Sequence, residues 1–145
     1  MGSEAVLRWC DWAVETLAAP VPLVLVHGDL HGDNMVWDGG RLRAVLDFEN
    51  AGLGEPEYDL RTLPGPGLGP GLELMSAVLR HYAVLSGRPL SAARVMAWHV
   101  RQVLGDVLWR CEDGLPQADG RGPGEWVGDL AARFGCLGGK FAGLA

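Results

Sequence analysis

The sequence has little positive charge and no long apolar stretch, and both shortages exclude broad classes of function. Lys140 is the only lysine in 145 residues, and the formal net charge is −6. Nucleic-acid binding usually depends on a basic patch that neutralises phosphates, so we expect no nucleic-acid partner. No segment approaches the roughly 18 apolar residues of a membrane span, and residues 1–19 lack the basic start of a signal peptide. We therefore expect a cytoplasmic protein without membrane association.

Cysteine is also scarce and forms no disulfide pattern. The three cysteines are widely spaced, odd in number and without a Cys-x-x-Cys pair: Cys10, Cys111 and Cys136. This usage is typical of reduced thiols in a cytosolic protein. Hydrophobic residues make up 48% and charged residues 21% of the chain, which indicates a globular protein. The length predicts one domain, residues 1–145.

The order of predicted elements indicates a mostly helical α+β domain with a small β-hairpin insert. Apolar residues recur at helical spacing over residues 4–18, and residues 23–26 form a short apolar run typical of a buried strand. The turn Asp38-Gly39-Gly40 joins two short predicted strands at 35–37 and 42–47. The other predicted elements are loops at 27–34 and 48–55, a Gly- and Pro-rich linker at 64–71, helices starting at Pro56 and at 72–86, 92–112 and 126–134, and a tail at 135–145.

Polar residues around the hairpin form the part of the sequence with recognisable chemistry. Asp29 lies in the loop after the buried strand, Asn34 lies at the mouth of the hairpin, and Asp47 ends its second strand. Because the hairpin turns the chain back toward the loop, we expect these three side chains to converge. Two carboxylates and an amide oxygen suit Mg²⁺, which adds water and phosphate oxygens to a few such ligands. Phosphoryl transfer uses a set of this kind.

Three motifs follow one another in this region at close spacing. They are His27-x-Asp29-x-x-x-x-Asn34, Leu46-Asp47-Phe48-Glu49 and Gly54-Glu55-Pro56-x-x-Asp59-Leu60. The set resembles the catalytic loop, the second metal motif and the third signature of the aminoglycoside phosphotransferase and choline kinase-like family, whose fold is protein-kinase-like. The third signature usually has Asp where Glu55 stands. The resemblance is clear over residues 23–63.

The resemblance implies a role for each matching residue. Asp29 is the expected catalytic base, Asn34 and Asp47 are the expected ligands of Mg²⁺ at the nucleotide, and His27 and Asp59 are expected to brace the catalytic loop by hydrogen bonds. It also implies transfer of the γ-phosphate of ATP, with GTP as an alternative, to a hydroxyl of a small molecule such as an aminoglycoside or choline. The acidic composition favours a cationic acceptor.

The family's N-terminal nucleotide-binding lobe has no counterpart in the sequence. That lobe carries a phosphate-covering loop, a strand lysine and its partner glutamate, whereas 26 mostly helix-like residues precede His27. We therefore expect the C-terminal lobe alone, with a catalytic and metal segment at 23–63 and substrate-side helices at 72–136. We expect little or no activity from this chain by itself, with the nucleotide lobe or a partner chain missing from it.

Two other functions remain open at this point. Gly28-Asp29-Leu30-His31-Gly32 matches the first motif of metallophosphatases, but the further metal-binding motifs of those enzymes are not found downstream. A chain without a nucleotide lobe could also be a non-catalytic remnant or an oligomerisation module. For single residues near the motifs, we expect His31 to make a loop hydrogen bond, Asp33 to be solvated, and Trp98 to belong to the core.

Overall fold

The computed structural model describes residues 2–65 and 70–112, together with positions 120, 125, 128, 129 and 132. The elements, in chain order, are α1 (Gly2–Ala18), β1 (Val24–Val26), a 3-10 turn (Gly32–Asn34), β2 (Met35–Asp38), β3 (Arg41–Val45), β4 (Gly52–Gly54), α2 (Pro56–Asp59), α3 (Pro70–Ser86) and α4 (Ala92–Glu112). Within this part of the chain, no helix is long and apolar enough to cross a membrane.

Two short antiparallel sheets carry the polar loops. β1 pairs with β4, so that Val26 lies opposite Gly52, and β2 pairs with β3. Gly39 and Gly40, which connect β2 and β3, both have positive φ, 54° and 73°. Two successive positive φ angles match the right-handed twist of a two-residue hairpin. The hairpin thereby returns the chain to the loop that follows β1.

The core lies between the first and the last described helices. Trp9 and Ala13 of α1 pack with Val95, Met96 and Val100 of α4, and Leu60, Met75 and Ala97 complete the buried cluster. Met96 is completely buried, and burying a side chain of that size contributes roughly 1.5–3 kcal/mol. Among the strands, β1 is in contact with this helical layer, through α2.

Most predicted elements are confirmed, and several details are corrected. The strand predicted as buried is present as β1, but Leu25 is 77% exposed and only Val26 is buried. The second hairpin strand ends at Val45, two residues before its predicted end at Asp47. The helix over 4–18, the hairpin and the helix over 92–112 are present. The predicted loop at 48–55 is wrong in part, because Gly52–Gly54 forms a strand through its pairing with β1. The predicted linker at 64–71 is also too long, since α3 already begins at Pro70, where a fixed φ suits a first helical turn. The helix predicted at 126–134 lies largely, and the tail at 135–145 wholly, outside the described residues.

Cys10 is a free thiol on α1. Burial raises the pKa of this thiol above its ordinary value, and the neighbouring Asp11 carboxylate raises it further. Both effects disfavour the thiolate, so Cys10 is expected to be protonated and of low reactivity at neutral pH.

Candidate active site

The loop after β1 is held by three side chains at the end of α2 and directly after it. Asp59 accepts two hydrogen bonds from this loop, from the backbone N–H of His27 at 2.7 Å and of Gly28 at 2.8 Å. Arg61 donates to the carbonyl oxygen of Gly28 at 2.9 Å, and Thr62 donates to that of Leu30 at the same distance. We call Asp59, Arg61 and Thr62 the clasp. It fixes the backbone on both sides of Asp29.

Local sequence explains why the clasp faces the loop. Pro56 occupies the first turn of α2, where a missing N–H costs nothing, and α2 ends after one turn at Asp59. A series of turns then covers residues 60–64, so successive polar side chains reach the same loop. Hydrogen bonds with a charged donor or acceptor are stronger than neutral ones; Arg61 makes one of these to the loop and Asp59 makes two.

His27 joins the loop to the end of the hairpin. Its Nδ1 accepts from the backbone N–H of Asp29 at 3.3 Å, and its Nε2 lies 2.7 Å from the carbonyl oxygen of Leu46. Because Nδ1 accepts, the proton is assigned to Nε2, which then donates to Leu46. The ring also packs against Phe48, with 4.5 Å between the ring centroids. His27 is buried and thus fixes the residue before Asp47 relative to Asp29.

Asn34 makes a second connection between the same two segments. Its Nδ2 donates to the backbone oxygen of Asp29 at 2.9 Å, and its own backbone oxygen accepts from the N–H of Leu46 at 2.9 Å. Nδ2 also lies 3.2 Å from Nε2 of His31. Since the amide nitrogen faces the loop, the side-chain oxygen Oδ1 is the atom left for another ligand.

Asp47 has an unusual backbone conformation directly after these connections. Its φ of 63° makes it the one non-glycine residue with positive φ in the described part of the chain. Such a conformation costs about 1–3 kcal/mol and is concentrated at functional sites. The residue is exposed. Leu46 is hydrogen-bonded through both its N–H and its carbonyl oxygen. These bonds fix the backbone directly before Asp47 at the mouth of the hairpin.

Gly28 allows the segment after Asp47 to pack on the loop. Its φ is 87°, and a Cβ at this position would lie 2.2 Å from the backbone oxygen of Asn50. No side chain fits at such a distance, so glycine is required for the close approach. The loop of Asp29 and the segment after Asp47 are therefore in direct backbone contact.

A cleft of about 750 Å³ opens beside Asp29. Its lining includes Asp29 and Arg61 at one end, the apolar residues Val26 and Leu53, and Trp98. The carboxylate of Asp29 is 40% exposed, with Nε2 of His31 3.5 Å from Oδ2 and a guanidinium nitrogen of Arg61 3.8 Å from Oδ1. A substrate in this cleft would reach the carboxylate without rearrangement of the loop.

The part of the cleft wall that contains Trp98 is built around a paired carboxylate. Glu55 accepts two hydrogen bonds from Arg94 and one from Nε1 of Trp98 at 2.9 Å. Arg94 also donates to the carbonyl oxygens of Thr16 and Ala19, which ties this wall to the end of α1. Trp98 was expected in the core, and this expectation is corrected: it is half-buried and lines the cleft.

The remaining predicted residues have simpler surroundings. The side chain of Asp33 is fully exposed and lies 3.8 Å from Nδ1 of His31, which confirms it as a solvated residue. His31 makes the expected loop contact, to Asn34.

In residues 2–65 and 70–112, no three His, Cys, Asp or Glu side chains form a metal site by themselves. A divalent ion here would need Asn34 and Asp47 together with water or phosphate oxygens.

Sequence reasoning missed Arg61, Arg94 and the role of Trp98. Arg61 follows the last motif by one residue but belongs to no pattern, and its loop partner Gly28 is 33 positions away. The one available signal was its position between Leu60 and Leu63, since an arginine inside an apolar stretch is often buried with a partner. Arg94 and Trp98 likewise meet Glu55 only through the tertiary fold.

Comparisons with known proteins show which family the chain is similar to. Residues 3–89 match the model of a family described as "Phosphotransferase enzyme family" (APH). The chain is 41% identical over 59 residues to viomycin phosphotransferase of Streptomyces vinaceus, a match that covers 38% of this chain and 20% of the relative. The family match spans more than half of the chain.

Solved structures with a similar fold are those of aminoglycoside phosphotransferase APH(4)-Ia. The apo form of a thermostable mutant has a TM-score of 0.61 and 25% identity, covering 95% of this chain and 45% of that one. A ternary complex with AMP-PNP and hygromycin B has a TM-score of 0.58 and 23% identity, with the same coverage. This chain therefore has part of the APH kinase-like fold and spans less than half the length of these relatives. It belongs to the APH family of phosphotransferase enzymes.

Proposed function

We propose that this chain takes part in the Mg²⁺-dependent transfer of the γ-phosphate of ATP to a hydroxyl of an antibiotic-like small molecule. The observation that carries the proposal is the double connection of Leu46 to Asn34 and His27. Through it, the proposed base and both proposed metal ligands belong to one hydrogen-bonded unit. Phosphoryl transfer depends mainly on such positioning and on charge stabilisation.

Asp29 is the proposed catalytic base. Its carboxylate is open to the cleft, while its backbone N–H and carbonyl oxygen are held by His27 and Asn34. The acceptor's hydroxyl would lie in the cleft with its hydrogen directed at this carboxylate. The acceptor oxygen forms a bond to the γ-phosphorus of ATP while the bond between that phosphorus and the oxygen that remains with ADP breaks. The hydroxyl proton passes to Asp29.

Asn34 and Asp47 are the proposed ligands of Mg²⁺. Oδ1 of Asn34 faces away from the amide hydrogen bond, and the Asp47 carboxylate is exposed at the hairpin mouth. Two oxygen ligands of this kind suit Mg²⁺, which keeps several waters and takes phosphate oxygens from its substrate. When bound, the ion would neutralise phosphate charge. His27 and Asp59 are the proposed braces that hold these positions.

We propose that a further, nucleotide-binding half completes the protein, because this chain spans 45% of the length of a similar structure. The hairpin exposes the cross-strand partners Trp37 and Leu42, at 57% and 47% exposure. Exposed large apolar side chains that are neighbours on one face are consistent with an interaction surface. We propose that this chain is the C-terminal lobe, that the hairpin faces the nucleotide lobe, and that the assembled protein is cytoplasmic.

The acceptor is proposed by analogy with the relatives and from the lining of the cleft. Hygromycin B with AMP-PNP in one similar structure, and with ADP in another, supports an antibiotic-like acceptor and ATP as the donor. The side chains of Leu53, Tyr58 and Trp98 offer apolar surface beside Asp29. The metallophosphatase alternative is not favoured, because the family match is to phosphotransferases.

Binding of Mn²⁺, which can be followed through paramagnetic relaxation of water protons, tests the metal site. We expect weak, saturable binding to the 145-residue chain in the absence of nucleotide. Asp47→Ala should abolish it, whereas Asp38→Asn, an exposed carboxylate in the same hairpin, should leave it unchanged. Equal binding by the wild type and Asp47→Ala would contradict the metal site and would favour a non-catalytic module.

A further inference from the structure

Arg61 is a buried cation behind the proposed base. Its side chain is 10% exposed, and one guanidinium nitrogen lies 3.8 Å from Oδ1 of Asp29. The same nitrogen donates to the carbonyl oxygen of Gly28, and a second one donates to that of Tyr58. The guanidinium carbon lies 3.9 Å from the centre of the Tyr58 ring. Two hydrogen bonds and a ring face thus fix the plane of the guanidinium.

We infer that Arg61 is a positioning residue that orients the carboxylate of Asp29 toward the cleft. The inference rests on the proposed role of Asp29. A carboxylate on a loop can rotate about two side-chain bonds, and a fixed charge on one side limits that rotation. Oδ1 faces Arg61, and Oδ2, which lies 3.5 Å from Nε2 of His31, is the oxygen that we expect to face the acceptor's hydroxyl. Arg61 acts through Asp29 and is not itself expected to touch the phosphate.

The fixed geometry is the reason why arginine, rather than any cation, suits this position. A guanidinium can donate to two carbonyl oxygens and still present an edge to a carboxylate, as Arg61 does with Tyr58, Gly28 and Asp29. A lysine ammonium has no planar fork and would lose at least one of these partners. The rest of the clasp lacks this link, since Thr62 binds only the backbone of Leu30.

A double-mutant cycle on the 145-residue chain separates this role from simple support of the backbone. The variants are Arg61→Gln, Asp29→Asn and the pair, compared by urea unfolding in EDTA at pH 8, where an ordinary imidazole is neutral. The carbonyl partners of Arg61 remain in the Asp29→Asn chain, so only the link to the carboxylate appears as coupling. Because water reaches Asp29, we expect a coupling of about two- to fivefold in the unfolding equilibrium constant.

Two further measurements sharpen the result. The cycle of Thr62→Val with Asp29→Asn is the control and should show no coupling. If Arg61→Gln does not fold, Arg61→Lys replaces it, and the carboxylate ¹³C resonance of Asp29 is compared in Arg61→Lys and the wild type. That resonance should move by more than the one of Asp38, which is paired with Arg43 in the hairpin.

The outcomes distinguish this inference from the proposed function. Coupling no larger than in the Thr62 control, or an Asp29 resonance that does not move in Arg61→Lys, would overturn the role of Arg61. Mn²⁺ binding that depends on Asp47 would then still support the metal site. Conversely, coupling without Mn²⁺ binding would keep Arg61 as the partner of Asp29 and reject the metal site of the proposed function.

Discussion

Removal of the Asp59 carboxylate should lower the free energy of unfolding, and the hydrogen bonds that it makes give the size of the loss. The two hydrogen bonds to the backbone N–H groups of His27 and Gly28 are 2.7 and 2.8 Å long. In Asp59→Ala, both N–H groups lose a charged acceptor in a partly buried place. Hydrogen bonds to charged groups contribute about 1.5–3 kcal/mol each, and water that can reach both N–H groups after the substitution should reduce the combined loss to about that of one such bond. We expect a loss of about 1.5–3 kcal/mol.

Urea unfolding of the whole chain measures this loss. Asp59→Asn is an informative second variant, because its amide oxygen can still accept one of the two hydrogen bonds and should retain about half of the stability. Asp33→Ala is the matched control, since that carboxylate lies in the same loop and is fully exposed. A loss below about 0.5 kcal/mol in Asp59→Ala, the scale of surface substitutions, would refute the reasoning that this carboxylate holds the loop.

Two other substitutions test the surroundings of the cleft. Gly28→Ala should lower the free energy of unfolding by more than about 2 kcal/mol or prevent folding, since its Cβ would lie 2.2 Å from a backbone oxygen of Asn50 at positive φ. A free energy of unfolding within about 0.5 kcal/mol of the wild type would contradict the close approach. Glu55→Gln should cost about 2–4 kcal/mol by urea unfolding, because it leaves the buried guanidinium of Arg94 without its charge partner. A neutral result there would show that Thr16 and Ala19 satisfy Arg94 without Glu55.

Local patterns in the sequence were sufficient to predict the helices and the hairpin. Apolar spacing predicted α1 and α4, and the Asp38-Gly39-Gly40 turn predicted the β2–β3 hairpin, because each depends on residues that are close in the chain. β4 was missed for the opposite reason. Gly52, Leu53 and Gly54 have no strand pattern of their own, and they form a strand only because β1 provides hydrogen-bonding partners.

In the candidate site, too, the contacts between residues close in the sequence were predictable, and those between distant residues were not. The motifs predicted that the Asp29 loop, Asn34 and Asp47 would come together, since a hairpin of known length separates them. The walls of the cleft could not be predicted in this way. Glu55 was recognised as a small departure from a motif, yet its partners Arg94 and Trp98 are 39 and 43 positions away. Arg61 lies within 3.8 Å of Asp29 because the end of α2 packs against the loop of Asp29, a contact that local sequence patterns do not predict.

The central claim is that Asp29 accepts the acceptor's proton in a phosphoryl transfer that needs a nucleotide-binding half. The most direct measurement is phosphate transfer from ATP by this chain fused to the nucleotide-binding half of a related phosphotransferase, with hygromycin B among the acceptors. We predict transfer by the fusion, little or none by the 145-residue chain alone, and a loss of about 10²–10⁴-fold in Asp29→Asn, the range for general base catalysis. Asp38→Asn should retain the activity of the fusion. An active fusion that Asp29→Asn does not impair would contradict the account.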